Sequence, residues 1–480
     1  MALAQLISQF ARIGFMVALA RLLSPEEFGL WGMALVFTGF ASLLGDIGLG
    51  AALIQRATIE PRHLDTVFWM NLGMGLLLTV SLMAGAVPLS SMYSAPQLVP
   101  LLTVTSLEFV IKGFSGVHRV LLIRDMNYRT LAVQETVALV IAGTVACLMA
   151  ATGWGTWSLV GQSLITAIVI AVWMMIAHPW RPTCRFDTSS LKELLHFSLH
   201  LQAFNLLNYW LRNLDKFLIG RWLGEASLGF YNRAYTTMLL PQSQITGTLE
   251  RVMWPALARC AHDTIRLRDA YLRTLRIICL MSFPFMIGLA VTARDFVTVV
   301  FGAAWAPSVA PLQWLCIAGF LQTPMSTLGW LYLASGRTKR MLVWSVVAAC
   351  ITIPAMIIGA LSGSIEQVAL WYAGSSVIIA PLAFIVAAPL AALSFRNIAS
   401  ALAGSAAAAL MMGAVIVFAA FHLTGLNAPV RLAILIPSGM LVYFALVVKS
   451  KAAADVWHVA MTFKKNRSPP IVNEPAGVTP

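Results

Sequence analysis

The sequence contains few charged residues for its length. Of its 480 residues, 11% are Asp, Glu, Lys or Arg and 59% are hydrophobic, whereas an average soluble domain carries about 25% charged residues. A soluble globular fold cannot bury such an excess of apolar side chains. Segments of about 20 apolar residues recur along the chain, and this length spans the hydrocarbon core of a bilayer as a helix. The composition therefore predicts a polytopic membrane protein.

The sequence also lacks a pattern of cysteine and histidine that would hold a disulfide framework or a metal ion. Its six cysteines show neither a C-x-x-C motif nor a zinc-ligand spacing. His196 and His200 stand four residues apart in "HFSLH", a spacing that places two ligands on one helical face. No third ligand lies nearby in the sequence, so we interpret them as an interfacial pair and predict no metal site.

Catalytic and nucleotide-binding motifs are missing as well. There is no D-x-D, no H-E-x-x-H and no P-loop lysine motif, and the outward-facing gaps, such as "TGWGTW", are short. A membrane polymerase or ligase would need catalytic residues on a substantial outward loop, so the sequence favours a protein that is not an enzyme. The net charge of +13 comes from short gaps between apolar runs rather than from a basic cluster, which argues against nucleic-acid binding.

Apolar runs separated by charged, Pro-rich or Gly-rich gaps predict about fourteen transmembrane spans. All are predicted as helices, because an open strand edge in lipid leaves backbone groups without hydrogen bonds. The predicted spans are residues 2–23, 28–54, 65–88, 97–118, 132–152, 156–177, 197–222, 233–257, 275–300, 308–334, 341–361, 366–392, 398–421 and 430–449.

The basic residues are distributed unevenly over the gaps between these spans. About two thirds of the 32 Lys and Arg residues lie in one alternate set of gaps. By the positive-inside rule these gaps are cytoplasmic, so both termini are predicted to lie on the cytoplasmic side. The opposite, outward set of gaps contains only Arg21, Arg221, Arg233, Arg294 and Arg431.

One stretch of sequence occurs twice in the chain. "RLLSPEEFGLW" at residues 21–31 is echoed by "RWLGEASLGFY" at 221–231, and Arg12 has a counterpart in Arg212. With these spans the repeating unit contains six helices, and an even number preserves orientation, so the copies are predicted to be parallel lobes around a central cavity. The predicted parts are an N-terminal six-helix lobe at 1–178, a cytoplasmic linker at 179–196, a C-terminal six-helix lobe at 197–392, two additional helices at 393–450 and a disordered cytoplasmic tail at 451–480.

Several charged residues interrupt the predicted spans. An arginine or aspartate at the centre of a transmembrane helix costs about 2.5–3.5 kcal/mol, so such residues usually face a wet cavity or a partner. Cationic side chains in a cavity suit an anionic, phosphate-bearing substrate. We predict that the substrate cavity is lined by Arg12, Arg212, Asp215 and Lys216. Weaker candidates, for the cavity or for ion coupling, are Asp46, Glu108, Lys112, Glu135, Glu250 and Arg251.

Two questions about these charged residues stay open at the level of sequence. Glu108 and Lys112 are four residues apart and could simply neutralise each other on one helical face. No cofactor is predicted, but one of the carboxylates could carry a proton or a sodium ion during transport. A carboxylate whose neighbours are unknown cannot be assigned that role.

Three longer stretches resemble a known family. They are "ARLLSPEEFGLWGMALVFTGFASLLGDIGLGAALIQR", "NLDKFLIGRWLGEASLGFYNRAY", and "VVFGAAWAPSVAPLQWLCIAGFLQ" leading to "ASGRTKR". They resemble the bacterial polysaccharide transport family within the multidrug, oligosaccharidyl-lipid and polysaccharide exporter superfamily. The resemblance extends from residue 2 to about 450.

The resemblance implies a fold, a passenger and partners. The fold would be two six-helix lobes plus two C-terminal helices. The passenger would be an oligosaccharide repeat unit linked through pyrophosphate to undecaprenyl, flipped from the cytoplasmic to the periplasmic leaflet of the bacterial inner membrane by alternating access. Membrane lipids, a polymerase and chain-length proteins would be the partners. Family members usually carry basic residues before the first helix. This chain departs from that pattern, because Met1 begins almost within the first predicted span, and the departure is consistent with a native start upstream of Met1.

Other activities stay open beside this one. A multidrug or cation antiporter of the same superfamily would share the scaffold, and a membrane polysaccharide polymerase or ligase would act on the same saccharides. The sequence of the sugars cannot be read from the chain, because glycan selectivity depends on side chains arranged in three dimensions.

Overall fold

The computed structural model describes residues 2–45, 49–55, 59–260, 262–448 and 450–455. Their side chains are described as well, except at positions 2–6, 51, 52, 55, 188–205, 207, 208, 211, 248, 250–252, 254, 255 and 338. Throughout these ranges the regular secondary structure is helical.

The helices follow the apolar runs of the sequence. The α-helices of the described ranges are α1 Ala2–Leu22, α2 Pro25–Gly45, α3 Leu49–Gln55, α4 Pro61–Tyr93, α5 Leu98–Thr105, α6 Leu107–Arg124, α7 Tyr128–Ala151, α8 Trp157–Ala177, α9 Thr188–Arg259, α10 Thr264–Val300, α11 Val309–Ser326, α12 Leu328–Ala334, α13 Thr338–Leu361, α14 Ile365–Ala387, α15 Phe395–His422 and α16 Ala428–Val447. Two short 3₁₀ helices lie at Ala303–Ser308 and Ala388–Leu390.

Eleven helical segments within the described residues are long and apolar enough to cross a membrane. Together with the large apolar surface described next, they confirm the prediction of an all-α, multi-pass membrane fold. The predicted spans 2–23, 197–222 and 233–257 fall in α1 and α9, which are not among these eleven segments. The count of fourteen spans therefore stays a prediction.

Large apolar side chains point outward on several of these helices. On α4, Leu76, Leu77 and Val80 are each more than half exposed, and so are Phe418 of α15 and Phe444 of α16. A soluble monomer seldom exposes contiguous apolar surface of this extent. Lipid tails are as apolar as these side chains, so this surface suits a bilayer.

The repeated stretch breaks the helical backbone at the same place in both copies. In the first copy α1 ends at Leu22 and α2 begins at Pro25. In the second copy α9 is interrupted at Gly224, which has φ 85° and ψ 179°. Glycine adopts a positive φ without the steric cost that a Cβ atom brings. Gly224 thus divides α9 into two helical halves that correspond to α1 and α2.

The chain forms two compact units, each built from segments that are distant in sequence. Unit 1 contains Met1–Thr237, Phe296–Leu315 and Ser345–Ser375, and unit 2 contains Met238–Asp295, Cys316–Trp344 and Ser376–Pro480. The predicted linker at 179–196 is helical from Thr188 onward. The predicted lobe boundaries follow the internal repeat rather than compactness, and they stay a prediction.

In unit 2 the last two helices pack on α10. The buried cluster of Met412, Ile416 and Leu435 joins α15 to α16 and contacts Ile287 of α10. The Tyr443 hydroxyl of α16 donates a hydrogen bond to a backbone carbonyl of α10 at 2.7 Å. These contacts hold the two additional C-terminal helices against the rest of unit 2.

An ion pair fastens α16 to α10 at another point. Arg431 Nε donates to Asp295 Oδ2 at 2.6 Å, and the Asp295 side chain is only 10% exposed. We expect Arg431→Ala to lower the free energy of unfolding by about 2 kcal/mol, because the mutation leaves a mostly buried carboxylate without its hydrogen-bond partner. Thermal melting of the purified protein in detergent measures the effect.

The double variant Asp295→Asn with Arg431→Gln is the matched control for this prediction. It removes both charges together, so it should melt closer to the wild type than Arg431→Ala does. A double variant that is no more stable than Arg431→Ala would show that the unpaired charge is not the cause.

Candidate functional site

The two copies of the repeated sequence lie against each other in unit 1. A Cβ atom added to Gly29 of α2 would lie 1.8 Å from the carbonyl oxygen of Glu225, and one added to Gly229 would lie 1.9 Å from the carbonyl oxygen of Pro25. Each glycine thus touches the first residue of the helix that carries the other glycine. The crossing of α2 and the second half of α9 therefore has approximate two-fold symmetry, and no larger side chain fits at its centre.

Two equivalent arginines fasten the same end of unit 1. Arg21 Nε donates to the carbonyl oxygen of Val300, the last residue of α10, at 3.1 Å. Arg221 Nη1 donates to the hydroxyl of Ser94, which caps the C-terminus of α4, at 3.4 Å. Arginine at a helix C-terminus favourably meets its free carbonyl groups and the negative end of its dipole. Arg21 of the first copy thus holds the end of α10 from the predicted C-terminal lobe, and Arg221 of the second copy holds the end of α4 from the predicted N-terminal lobe.

A third arginine at this end is buried among aromatic rings. The guanidinium carbon of Arg233 lies 4.2 Å from the ring centroid of Phe28, 5.2 Å from that of Phe301 and 5.1 Å from that of Trp305. The residue is 7% exposed, and the indole nitrogen of Trp305 donates to the carbonyl oxygen of Ala20 at 2.7 Å. Cation–π attraction is strongest when the cation is desolvated in this way. The cage joins α1, α2, α9 and the segment after α10.

Arg12 and Arg212, the strongest predicted cavity residues, are both exposed. Arg12 lies on α1, which packs on α7 through a 2.6 Å hydrogen bond between the hydroxyls of Ser8 and Thr136. Arg212 lies on the first half of α9, close enough to Tyr235 to interact with it electrostatically. Neither guanidinium forms an ion pair with a residue that the structure describes. Both positive charges are thus available to an anion.

Lys216 and Asp215 lie one turn further along α9. Lys216 Nζ donates to Asn213 Oδ1 at 3.0 Å and lies 5.2 Å from the ring centroid of Tyr235, while the residue stays partly exposed. Asp215 is only 1% exposed, and it accepts hydrogen bonds from the Tyr231 hydroxyl at 3.0 Å and from the Lys216 backbone N–H at 2.8 Å.

The burial of Asp215 differs from the sequence prediction that Asp215 lines the substrate cavity together with Arg212 and Lys216. In this structure Asp215 faces the packing between the two halves of α9, because the Tyr231 hydroxyl follows the Gly224 break and reaches its carboxylate. Arg212 and Lys216 keep their access to water or substrate. The predicted surface is therefore more cationic than its sequence alone indicates.

Glu108 and Lys112 line a cavity inside unit 1. Lys112 Nζ lies 3.0 Å from Glu108 Oε1, and the Ser163 hydroxyl donates to Glu108 Oε2 at 2.6 Å. Glu108 is buried, whereas the Lys112 side chain is 52% exposed. The cavity, of about 320 Å³, lies between α2, α6 and α8 and is lined by Trp31, Glu108, Lys112, Leu159, Gln162, Ser163, Thr166, Ala167 and Ile170.

Of the remaining predicted residues, Glu135 is described, and it is not among the residues that line this cavity. Glu135 is exposed on α7. Asp46 lies outside the described residues, and so do the side chains of Glu250 and Arg251 and those of the predicted interfacial pair, His196 and His200. Within the described part of the chain no three His, Cys, Asp or Glu side chains lie close enough together to hold a metal ion.

The sequence interpretation missed the neutral polar residues of the cavity. Gln162, Ser163 and Thr166 stand at a helical spacing inside an otherwise apolar run, a signal that attention to charged residues alone passes over. Trp31 has its repeat counterpart in Tyr231, but the pairing of Trp31 with α6 and α8 has no sequence signal. Arg233, expected in an outward gap, is instead buried in its aromatic cage.

The fold is similar to that of two solved membrane transport proteins. A solved lipid II flippase, MurJ in its inward closed conformation, superposes with a TM-score of 0.76 at 16% identity, covering 96% of this chain and 100% of that chain. An inward-facing multidrug resistance transporter of the MATE family, from the MOP superfamily, superposes with a TM-score of 0.63 at 15% identity, covering 81% of this chain and 96% of that one. These superpositions show that the chain shares the fold of the two solved proteins.

Residues 18–310 match the sequence profile of the polysaccharide biosynthesis protein family, and the chain belongs to this family. It is 30% identical to the teichuronic acid biosynthesis protein TuaB of Bacillus subtilis over 92% of both chains. It is 29% identical to the lipopolysaccharide biosynthesis protein WzxC of Escherichia coli, over 72% of this chain and 70% of that protein. It is also 29% identical to the succinoglycan biosynthesis transport protein ExoT of Rhizobium meliloti, over 74% of this chain and 72% of that protein.

Proposed function

We propose that the protein is a flippase for lipid-linked oligosaccharides in polysaccharide biosynthesis. It moves undecaprenyl-pyrophosphate-linked repeat units from the cytoplasmic to the periplasmic leaflet of the bacterial inner membrane, with both of its termini in the cytoplasm. The relatives TuaB, WzxC and ExoT are named for the biosynthesis of teichuronic acid, lipopolysaccharide and succinoglycan, respectively. The proposal depends on one combined observation. The chain matches this family, and its exposed Arg12 and Arg212 have no ion-pair partner among the described residues.

The charges of unit 1 fit a pyrophosphate group. Arg12, Arg212 and Lys216 are cationic and accessible, and the nearby Asp215 is buried with its carboxylate hydrogen-bonded. An arginine exposed at transmembrane depth is costly unless it meets water or an anion. Guanidinium groups bind phosphate oxygens through two parallel charge-assisted hydrogen bonds. In the proposed mechanism the pyrophosphate neutralises these cations while the undecaprenyl tail stays in lipid.

The symmetric crossing fits a transporter that closes on one side. Gly29 and Gly229 bring two backbones into contact where the topology prediction places the periplasmic side. Arg21, Arg221 and Arg233 add contacts between helices of the two copies at the same end. Release of a repeat unit to the periplasm would require these contacts to break together, which gives alternating access two discrete arrangements.

The principal competing function is the export of drugs or cations, as in the MATE transporter of the same fold. An exporter of cations would require a cavity with net negative charge, whereas the accessible charged residues named here are mostly positive. A polymerase or chain-length protein acting on the exported repeat unit is proposed as a partner in the pathway.

We expect cells that lack this protein to accumulate lipid-linked repeat units on the cytoplasmic leaflet. The units are assembled where their nucleotide-activated sugars are available, and without a flippase their polar head does not cross the hydrocarbon core. A membrane-impermeant reagent that labels sugars, applied to right-side-out and inverted vesicles, measures the leaflet. Units found already outside and unpolymerised would instead identify the protein as a polymerase or ligase.

A further inference from the structure

We propose that the cavity between α2, α6 and α8 is a sugar subsite, at which Trp31, Gln162 and the pair Glu108 and Lys112 bind a pyranose ring of the repeat unit. This inference rests on the proposed function and deepens it, because it separates recognition of the sugars from recognition of the pyrophosphate. The polar groups of the cavity, its aromatic wall and its charge each favour a sugar as the occupant.

The polar groups of the cavity are held in place by one another. Glu108 is buried and holds both Lys112 Nζ, at 3.0 Å, and the Ser163 hydroxyl, at 2.6 Å. An ammonium group has three donors, so the half-exposed Lys112 keeps donors for a ligand. The side-chain amide of Gln162 forms no hydrogen bond with the residues that the structure describes. The cavity thus offers oriented donors and acceptors, the combination that hydroxyl groups require.

Trp31 provides a flat apolar wall beside these groups. Its indole packs on the buried cluster of Leu19, Leu23, Ala146, Ala150 and Leu159, which fixes the position of the ring. The indole also borders the cavity. An indole that is held in position can pack on the C–H face of a sugar ring, while the hydroxyls of the sugar project sideways toward polar partners.

The charge and size of the cavity favour a neutral sugar over other occupants. Glu108 and Lys112 neutralise each other, so the cavity lacks the net positive charge that a phosphate requires. An acyl chain would leave the side-chain amide of Gln162 and the remaining donors of Lys112 against hydrocarbon without hydrogen-bond partners, which is costly. The volume of about 320 Å³ lies at the small end of ligand sites, about 300–1,000 Å³, and suits one or two rings rather than a whole repeat unit.

The test compares two probes on the purified protein in lipid nanodiscs. One probe is undecaprenyl pyrophosphate without sugar, and the other is the lipid-linked repeat unit extracted from the cells that make it. We expect Trp31→Ala and Gln162→Leu to weaken binding of the sugar-bearing probe by about tenfold or more, because a site built for hydroxyls loses its partners. Binding of the sugar-free probe should not change, and Trp31→Phe should recover part of the loss.

Ile168→Ala is the matched control, because Ile168 lies on α8 outside the cavity lining and is 46% exposed. It should bind both probes as the wild type does. Equal binding of the two probes by the wild type, or equal losses for both probes in Trp31→Ala, would overturn the sugar subsite and leave the flippase proposal standing. A wild-type protein that binds neither probe would overturn the proposed function itself.

Discussion

Arg12→Ala and Arg212→Ala are each expected to abolish surface polysaccharide while the protein still reaches the membrane. Both guanidinium groups are exposed and have no ion-pair partner among the described residues, so their removal takes away little packing. The loss of a hydrogen bond to a charged group costs about 1.5–3 kcal/mol, which corresponds to a roughly tenfold to hundredfold slower transport step. Staining of surface polymer, together with immunoblots of membrane fractions, measures both quantities.

Two comparisons make this expectation specific to the predicted substrate path. Arg129→Ala removes an exposed arginine from the start of α7, in a predicted cytoplasmic gap, and should leave polymer unchanged. Arg12→Lys keeps the charge but loses the bidentate geometry, so it should retain part of the activity. Normal polymer in both alanine variants would remove Arg12 and Arg212 from the substrate path.

Gly29→Ala and Gly229→Ala are expected to have the second large effect. Each added methyl group would lie within 2 Å of a backbone oxygen of the other copy, and backbone atoms cannot turn away as a flexible side chain can. Forcing the two helices apart costs about 1–3 kcal/mol. We therefore expect a lower melting temperature and at least a roughly tenfold loss of export. Thermal melting in detergent and surface polymer measure the two effects.

The double variant tests the symmetry of the contact. The first alanine already separates the helices and so relieves much of the clash of the second. The double variant should therefore lose less stability than the two single variants lose together. Gly73→Ala and Gly374→Ala are the matched controls, because a Cβ atom at either helical position meets no other atom within 4 Å. They should stabilise the protein slightly, since alanine restricts the unfolded chain. Wild-type melting and export in Gly29→Ala and Gly229→Ala would contradict the assigned contact.

Sequence reasoning succeeded where neighbours in the chain are also neighbours in space. The spacing of Glu108 and Lys112 places both side chains on one helical face, and the structure forms their ion pair. The repeat predicts equivalent breaks in the helical backbone after α1 and at Gly224, because the same residue pattern favours the same local backbone conformation. Such features depend on helical periodicity, which can be read directly from the order of the residues.

Sequence reasoning did not reach contacts between distant helices. Asp215 was expected on a wet surface, yet the Tyr231 hydroxyl lies 3.0 Å from its carboxylate. Arg233 was expected in a gap, yet it lies among aromatic rings from α2 and from the segment after α10. The rotation of each helix about its axis decides such contacts. This rotation is set by packing against partners that lie far away in the chain.

The amino-acid sequence by itself determined that this protein is a helical, multi-pass membrane protein with an internal repeat, because apolar length and scarcity of charge leave no other stable arrangement. The sequence also identifies the family, since residues 18–310 match the profile of the polysaccharide biosynthesis protein family. Only the tertiary structure decided that Gly29 meets Glu225 and that Trp31 shares a cavity with Gln162. The physical reason is that these contacts join separate helices, whose relative positions follow from the packing of all their side chains together.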